Sequence, residues 1–408
     1  MVEITKMKAE KQKAEKEAFF CTTKELSRLG LEQIPTQFQS HKHLIYSSPA
    51  TLAFNSPGAE GFGVKRAGLA VPDSIMLIVA PGCCGRNTSL ISSMKEYNDR
   101  FYYLMMDETD IVTGRHLKKI PKAVEEICSV CPKKPSVVMI CITCVDALLG
   151  TDMERVCKKA EEQVEIPVRP CYMYALTREG RKPPMVHVRQ SLYSLLEPGK
   201  KKGNVVNLLG FFSPLVDDCE IYDLLHSAGV KTIHEISRCK DYMEYQTMSE
   251  ANFNLVLHHE ARFAAEDFHN RLQIPFIELR RLYQIDKIEN QYHALGNALG
   301  VAFYDEKYKK QAEDALEKFR QKCPDASFAI GECLNADPFE LSLALIRYGF
   351  SVPEIYGTIT VENFTYIRSL AKISPETKVF SNMEPTMIYY DPAKSDVNLA
   401  IGKDACYY

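Results

Sequence analysis

No apolar run in this sequence reaches the roughly 18–20 residues that a membrane-spanning helix requires, so no transmembrane segment is expected. The opening stretch, MVEITKMKAEKQKAEKEAFF, alternates charges and carries no apolar signal core, which argues against a secretory leader and for a cytoplasmic protein. An excess of one charge is missing as well. Fifty Lys and Arg residues stand against 53 Asp and Glu, a net charge of −3, and no basic block interrupts the body of the chain. Wholesale nucleic-acid binding is therefore not expected. The phosphate-cradling G-x-x-x-x-G-K-S/T pattern occurs nowhere, so no ATP site of that type is expected. GFGVKRAG (61–68) lacks the G-x-G-x-x-G spacing and follows no clear strand. Neither a G-x-S-x-G elbow nor an H-E-x-x-H pair is present.

What is present is an ordinary folded composition, 46% hydrophobic and 25% charged, which excludes wholesale disorder, collagen and coiled-coil rods. A length of 408 residues exceeds what one hydrophobic core usually organises, so two or three domains are expected. The 14 cysteines are the unusual feature. In a chain of this length without a leader they read as reduced thiols, some buried as plain core residues and some placed to hold a metal or cluster.

Residues 1–40 are expected to form an N-terminal helical extension, with Lys and Glu recurring at helical spacing over its first half. The runs SIMLIVAP (74–81), FYYLMM (101–106), SVVMICITCV (136–145) and IPVRPCYMYA (166–175) read as buried strands, with amphipathic stretches at 88–97, 116–127 and 152–163 between them. A Pro/Gly/Lys linker, EPGKKKGN (197–204), closes this first unit, 41–200. The rhythm restarts in a second, 201–322, with NVVNLLGF (204–211), TIHEIS (232–237), FNLVLHH (253–259) and IPFIEL (274–279). A third, 323–408, carries SFAIGE (327–332), the helix DPFELSLALIRYG (337–349), SVPEIYG (351–357), TKVFSN (377–382) and VNLAIG (397–402). Strands alternating with helices build parallel sheets covered on both faces. The expected fold is therefore α/β, three consecutive doubly wound, Rossmann-like domains. Such sheets bind ligands at the carboxyl ends of their strands, beside helix N-termini.

Three strand ends carry chemistry. APGCCGRNTS (80–89) puts Cys83 and Cys84 between Gly82 and Gly85, after a strand and before an expected helix. Thiolates there face backbone N–H groups, and the glycines let the backbone approach a bulky inorganic group. The plain alternative is a glycine-rich turn with incidental thiols. CSVC (128–131) and CITC (141–144) form two C-x-x-C pairs that invite a zinc reading. Their gap is shorter than usual, and Cys141 falls inside an apolar strand, which turns it and Cys144 to opposite faces. Cys144 reads instead as a strand's last residue before a turn and helix, mirroring Cys84. HHE (258–260) ends another strand, where His258 and His259 could bind metal, move protons or simply pack on a wet strand end.

Taken in order, these segments resemble the nitrogenase component 1 superfamily over most of residues 41–402. That superfamily holds nitrogenase molybdenum–iron protein subunits, their cofactor-assembly scaffolds, dark-operative protochlorophyllide reductase subunits and the coenzyme F430 cyclase component. PGCCG is similar to the family's H-G-P-x-G-C-G segment, which places Cys84 on a cluster cysteine with Gly85 after it. Glu108, Asp110, Val112 and Gly114 match its E-x-D-x-V-x-G element. CVDALLGTD (144–152) resembles its C-x-x-x-L-I-G-x-D segment, which puts Cys144 on a second cluster cysteine, with Gly150 and Asp152 following. In FNLVLHH, His258 stands at the place of the cofactor-ligating cysteine of true nitrogenase. YSSPATLAF (46–54) has Ser47 and Ser48 where members with a full interfacial cluster carry another cysteine, leaving Ser48 as an alternative ligand. The sequence also stops before the region that supplies the nitrogenase cofactor's histidine. An iron–molybdenum cofactor and dinitrogen reduction are accordingly not expected.

Two thiolates per chain, Cys84 and Cys144, make four across a two-fold interface, the number a 4Fe–4S cluster takes. The resemblance likewise implies a cluster bridging two subunits, in a homodimer or a heterodimer with a sister component 1 subunit; Cys83 is a spare or alternative ligand. The expected function is an oxidoreductase component that takes electrons from a separate ATP-hydrolysing iron-protein reductase and reduces a substrate held between its domains. His258 and His259 are its candidate proton donors. The alternatives are a cofactor-assembly scaffold of the same superfamily, and a non-redox ligand-binding module whose cysteines are all structural.

Overall fold

The computed structural model describes residues 17–42, 48–54, 59–82, 95, 97–173, 182–333 and 336–408. Residues 1–16 of the expected extension, most of the helix expected at 88–97, and Cys83, Cys84, Gly85 and Ser47 lie outside the described residues. The chain divides into two compact units, one of Ser56–Arg281 with Gln291–Asp305, the other of Met1–Asn55, Leu282–Asn290 and Glu306–Tyr408.

The unit begun by Ser56 holds two four-stranded sheets. The first has the order β3-β2-β4-β5, formed by β2 (Ile75–Ala80), β3 (Phe101–Met105), β4 (Val138–Ile142) and β5 (Val168–Tyr172), all parallel. β2 and β4 are buried along their whole length, which is why they read as unbroken apolar runs. β5 lies at the edge, where the missing N–H of Pro170 is tolerated. The second sheet repeats the plan as β7-β6-β8-β9, from β6 (Val205–Leu209), β7 (Thr232–His234), β8 (Phe253–Val256) and β9 (Phe276–Glu278), again all parallel. In each sheet the chain steps from its first strand to one side and then returns to the other. The switch points therefore lie at the carboxyl ends of β2 and β4, and of β6 and β8. One hydrophobic cluster joins the two sheets: Met76, Cys141 and Cys171 from the first, Leu209 and Val256 from the second, Phe268 of helix Arg262–Leu272, and Val188 and Leu192 of helix Pro184–Tyr193.

The other unit carries the third sheet, of order β1-β12-β11-β10-β13. Its members β10 (Ser327–Ile330), β11 (Ser351–Tyr356), β12 (Lys378–Phe380) and β13 (Leu399–Ile401) are parallel, while β1 (Phe20–Thr22) joins the edge antiparallel to β12. Pro353 sits in the interior strand β11, where the β10–β11 register shifts by one residue, the kind of bulge that accommodates a missing N–H. Helix Thr23–Leu29 follows β1 directly; Thr22 and Glu25 form its capping box, and Leu26 enters the core with Phe38, Ile330 and Phe339. The α/β class with doubly wound parallel sheets is as expected. The edge strand at 20–22, in a stretch read as helical, is not anticipated by the periodicity. Among the described residues no helix is long and apolar enough to cross a membrane.

Candidate functional site

The first switch point brings together the strand ends that the cysteine motifs follow. β2 gives way to Pro81 and Gly82, and Cys83, Cys84 and Gly85 come next, outside the described residues. On the neighbouring strand, β4 ends at Ile142, and Cys144 opens helix Cys144–Leu149 rather than closing the strand. Its thiol is half-buried. Gly150 leaves that helix in the left-handed region, φ +65°, where a side chain would be strained; this accounts for a glycine before the Asp152 cap of helix Met153–Val164.

Helix Cys144–Leu149 is only six residues long, and contacts from elsewhere in the chain fix it. Asp107 caps helix Glu108–Thr113 and forms a capping box with Asp110. The Asp110 carboxylate is buried and takes hydrogen bonds from Lys119 (2.6 Å) and Arg115 (2.8 Å), which together hold it well below the usual carboxylate range. Gly114, at φ +65°, turns the chain out of that helix, and His116 starts the next, His116–Val130. The His116 ring is 1% exposed; its Nδ1 lies 3.0 Å from the Asp110 carbonyl oxygen and its Nε2 2.8 Å from Asp146 Oδ1. A carbonyl oxygen only accepts, so Nδ1 donates to it, and a further proton lies between Nε2 and Asp146 Oδ1. Thr151 Oγ1 donates to the same Oδ1 at 3.0 Å. Among the described residues, Thr143 Oγ1 and Asp146 Oδ2, one residue before and two residues after Cys144 in sequence, are buried without hydrogen-bond partners. A half-buried thiol at a switch point, preceded by a buried hydroxyl with a hydrogen to donate, fits the edge of a thiolate-bound iron–sulfur group whose remaining ligands come from elsewhere.

The other thiols of the C-x-x-C pairs do not gather around Cys144. Cys128 and Cys131 end helix His116–Val130, with Cys131 Sγ 3.2 Å from the Tyr102 hydroxyl, and Cys141 is fully buried opposite Cys171 on β5. Among the described residues, no three or more His, Cys, Asp or Glu side chains are grouped to hold a metal ion. Ser48 is committed to the unit of the third sheet. It is buried and donates to Asp404 Oδ1 at 2.6 Å, while Asn382 Nδ2 donates to Oδ2 at 3.2 Å.

The second switch point holds His258 and His259. Gly210, at the end of β6, lies so close to the end of β8 that a Cβ there would sit 2.8 Å from the Cβ and N of His258. Arg189, buried on helix Pro184–Tyr193, ties the region together. Its Nε and Nη2 donate to the Gly210 carbonyl (3.1 and 2.7 Å), and its Nη1 donates to Glu260 at 2.7 Å. The Glu260 N–H donates to His258 Nδ1 at 3.3 Å, which leaves the neutral ring's hydrogen on Nε2. Burial, followed by the charges of Arg189 and the neighbouring His259 and Arg281, pushes the His258 imidazole down to about 3. At neutral pH it is therefore uncharged. Phe211 meets it edge-on at 5.7 Å, the Arg281 guanidinium lies over the Phe211 ring at 4.0 Å, and the exposed His259 stacks on His258 at 4.5 Å.

Sequence patterns do not reveal His116, Asp146 or Arg189. The available signals were an acid two residues after Cys144 and an arginine in the otherwise apolar helix PMVHVRQSLY.

Comparison with known proteins follows the same outline. The family model described as nitrogenase component 1 type oxidoreductase matches residues 60–405. The chain is 25% identical over 284 residues to the nitrogenase iron-molybdenum cofactor biosynthesis protein NifE of Nostoc sp., a match covering 66% of this chain and 58% of that protein. Against NifE of Sinorhizobium fredii it is 24% identical over 382 residues, covering 88% and 75%. The first of these matches spans less than two thirds of the relative's length. Among solved structures, "Nitrogenase Cp1 at pH 6.5" superimposes with a TM-score of 0.65 at 19% identity, over 83% of this chain and 79% of the other. At that identity the likeness is one of fold.

Proposed function

The chain belongs to the nitrogenase component 1 type oxidoreductase family, and from that premise we propose that it is an electron-accepting subunit holding a 4Fe–4S cluster through Cys84 and Cys144, shared with a second component 1 chain. The observation that carries this reading is Cys144 itself, a half-buried thiol just past the carboxyl end of β4, at the switch point of the first sheet. Cys84 follows β2, the strand paired with β4. Two such thiols per chain supply half of the four thiolates the cluster takes, so a second copy or a sister subunit supplies the rest. Cys83 is the alternative ligand.

Bound there, the cluster supplies a one-electron relay. ATP is hydrolysed by a separate iron-protein reductase, in keeping with the missing phosphate-cradling pattern. The second switch point is the substrate side. Phe211 and Arg281 form an aromatic and cationic wall, neutral His258 presents Nε2–H as a hydrogen-bond donor, and exposed His259 is the group placed to deliver a proton from solvent. Arg189 orients this group of side chains through Gly210 and Glu260.

A second reading, cofactor assembly, is favoured by the names of the curated relatives, which are cofactor biosynthesis proteins. The metallocluster is then cargo held at the second switch point and handed on. One preparation tests the common ground: anaerobic purification of wild type and Cys144→Ala, with iron and sulfide analysis and EPR of the dithionite-reduced protein. About four irons per two chains, lost in the variant, is the expected result. Zinc or no metal in protein from a strain competent in cluster assembly would overturn it. Turnover of an organic substrate with a reductase, against transfer of metal to an acceptor protein, then separates the two readings.

A further inference from the structure

We propose that His116 is a positioning residue for Cys144, which it controls through Asp146. This rests on the cluster-binding reading of Cys144 given above. The six-residue helix that Cys144 opens is too short to hold its own geometry, since nucleating a helical turn costs more than so few backbone bonds return. Its first turn instead carries a fully buried carboxylate, Asp146, whose Oδ1 meets His116 Nε2 at 2.8 Å and Thr151 Oγ1 at 3.0 Å. The opposite nitrogen of the same ring donates to the Asp110 carbonyl at 3.0 Å. Asp110 is itself immobilised by Lys119, Arg115 and the Asp107 cap. A single buried imidazole thus links helix Glu108–Thr113, through the Asp110 carbonyl, to helix Cys144–Leu149, through Asp146, which lies 30 residues beyond His116.

The unsatisfied oxygens strengthen the inference. Asp146 turns one oxygen to His116, while its other, Oδ2, is buried and unpartnered among the described residues, as is Thr143 Oγ1. A buried carboxylate with only half of its lone pairs used is costly unless something holds it there. His116 is the residue that does so. Freed from it, Asp146 would turn toward water and take the start of the helix, and Cys144, with it.

Two conservative variants cut the link at different ends. In His116→Asn the amide stands near the Nδ1 position and keeps the bond to the Asp110 carbonyl, but falls short of Asp146. In His116→Gln the amide stands near the Nε2 position, keeps the bond to Asp146 and releases the Asp110 carbonyl. The first readout needs no cluster: the rate of iodoacetamide alkylation at Cys144 in the metal-free protein, measured by peptide mass spectrometry against the exposed Cys406 as internal control. The second is the EPR signature of the reduced, loaded protein. In the Asn variant, Cys144 alkylation should rise about tenfold and the EPR g-values should shift, as expected when a hydrogen bond to a charged group is lost. The Gln variant should match wild type in both, with Cys406 unchanged throughout.

A histidine that merely fills space predicts that the two variants behave alike, and equal alkylation in both would overturn the proposal. Should the Asn variant fail to fold by circular dichroism, Asp146→Ala cuts the same link at its other end; no rise in Cys144 alkylation there would overturn it equally. If wild type assembles no cluster, the reading of Cys144 as a ligand fails on its own, and the alkylation order still decides whether His116 positions it.

Discussion

Two single residues at the second switch point carry sharp consequences. Gly210 occupies φ +135°, a region side chains rarely adopt, and its missing Cβ leaves room for the backbone of His258. Gly210→Ala should destabilise the protein by about 1–3 kcal/mol in urea unfolding, the scale of local backbone strain, and displace His258 while leaving iron content intact. Loss of iron together with the substrate side would show that the two switch points are not separable. His258 gives a pH signature of its own. Its native imidazole titrates at about 3, against an ordinary value of 6.5, because burial and then the Arg189 charge disfavour the cation. Above about pH 6.5 neither folded nor unfolded chain protonates the ring, and it contributes nothing to the pH dependence. As pH falls from there toward 3, the unfolded chain takes up a proton that the native state refuses, and stability is lost. His258→Asn removes this effect. Thermal midpoints of wild type should therefore decline faster than those of the variant between pH 7 and 5; parallel curves would show that the native ring protonates normally.

At the scale of elements, legibility in the sequence follows burial. β2, β4, β6 and β8 are buried end to end, so their runs stand out, and all four lie where the apolar stretches place them. β1 is three residues in a charged stretch, and what makes it a strand is β12, whose residues lie more than 350 positions away; no local pattern encodes that pairing. The link through His116 and the anchoring by Arg189 are hidden for the same reason, since each joins segments that periodicity treats separately. Cys144 is legible because its motif is local. The paired asparagines of the second sheet show a polar feature inside an apolar run. Asn207 and Asn254 are register partners on β6 and β8, fully buried, with Asn207 Nδ2 bonded to Asn254 Oδ1 at 2.7 Å and to the Met248 carbonyl at 2.8 Å. A one-residue slip would part them, so the pair specifies register as well as stability. Asn207→Leu leaves the buried Asn254 Oδ1 without its donor and should cost about 1–3 kcal/mol in urea unfolding. Asn207→Leu with Asn254→Leu should recover most of that, because two apolar partners leave nothing unsatisfied. A double variant as unstable as the sum of the singles would locate the cost in packing instead.

For the whole molecule, the proposed sharing of a cluster between two chains would make oligomerisation and metal content one equilibrium. A cluster that needs thiolates from two chains binds the dimer and not the monomer, so by mass action it must tighten the dimer. Stripping iron with a chelator should raise the dimer dissociation constant in sedimentation velocity across a dilution series, and Cys144→Ala should behave like the stripped protein. The two short helices joined through His116 also leave apolar side chains exposed, which a dimer formed there would cover. Val112 is 84% exposed, and Leu148 and Leu149 are 69% and 50% exposed, on the two short helices joined through His116. Covering one such leucine is worth about 1.5–3 kcal/mol, and replacing it with a charge forfeits that and adds a desolvation cost. Leu148→Asp, which removes no thiolate, should therefore weaken the dimer by roughly tenfold or more, ~1.4 kcal/mol, and lower iron content only at dilutions where the dimer falls apart. At concentrations high enough to restore the dimer, iron should return to the wild-type ratio. That recovery is the discriminating result, since a cluster held within one chain would be indifferent to both dilution and Leu148, and a monomer retaining its full iron would refute the shared site.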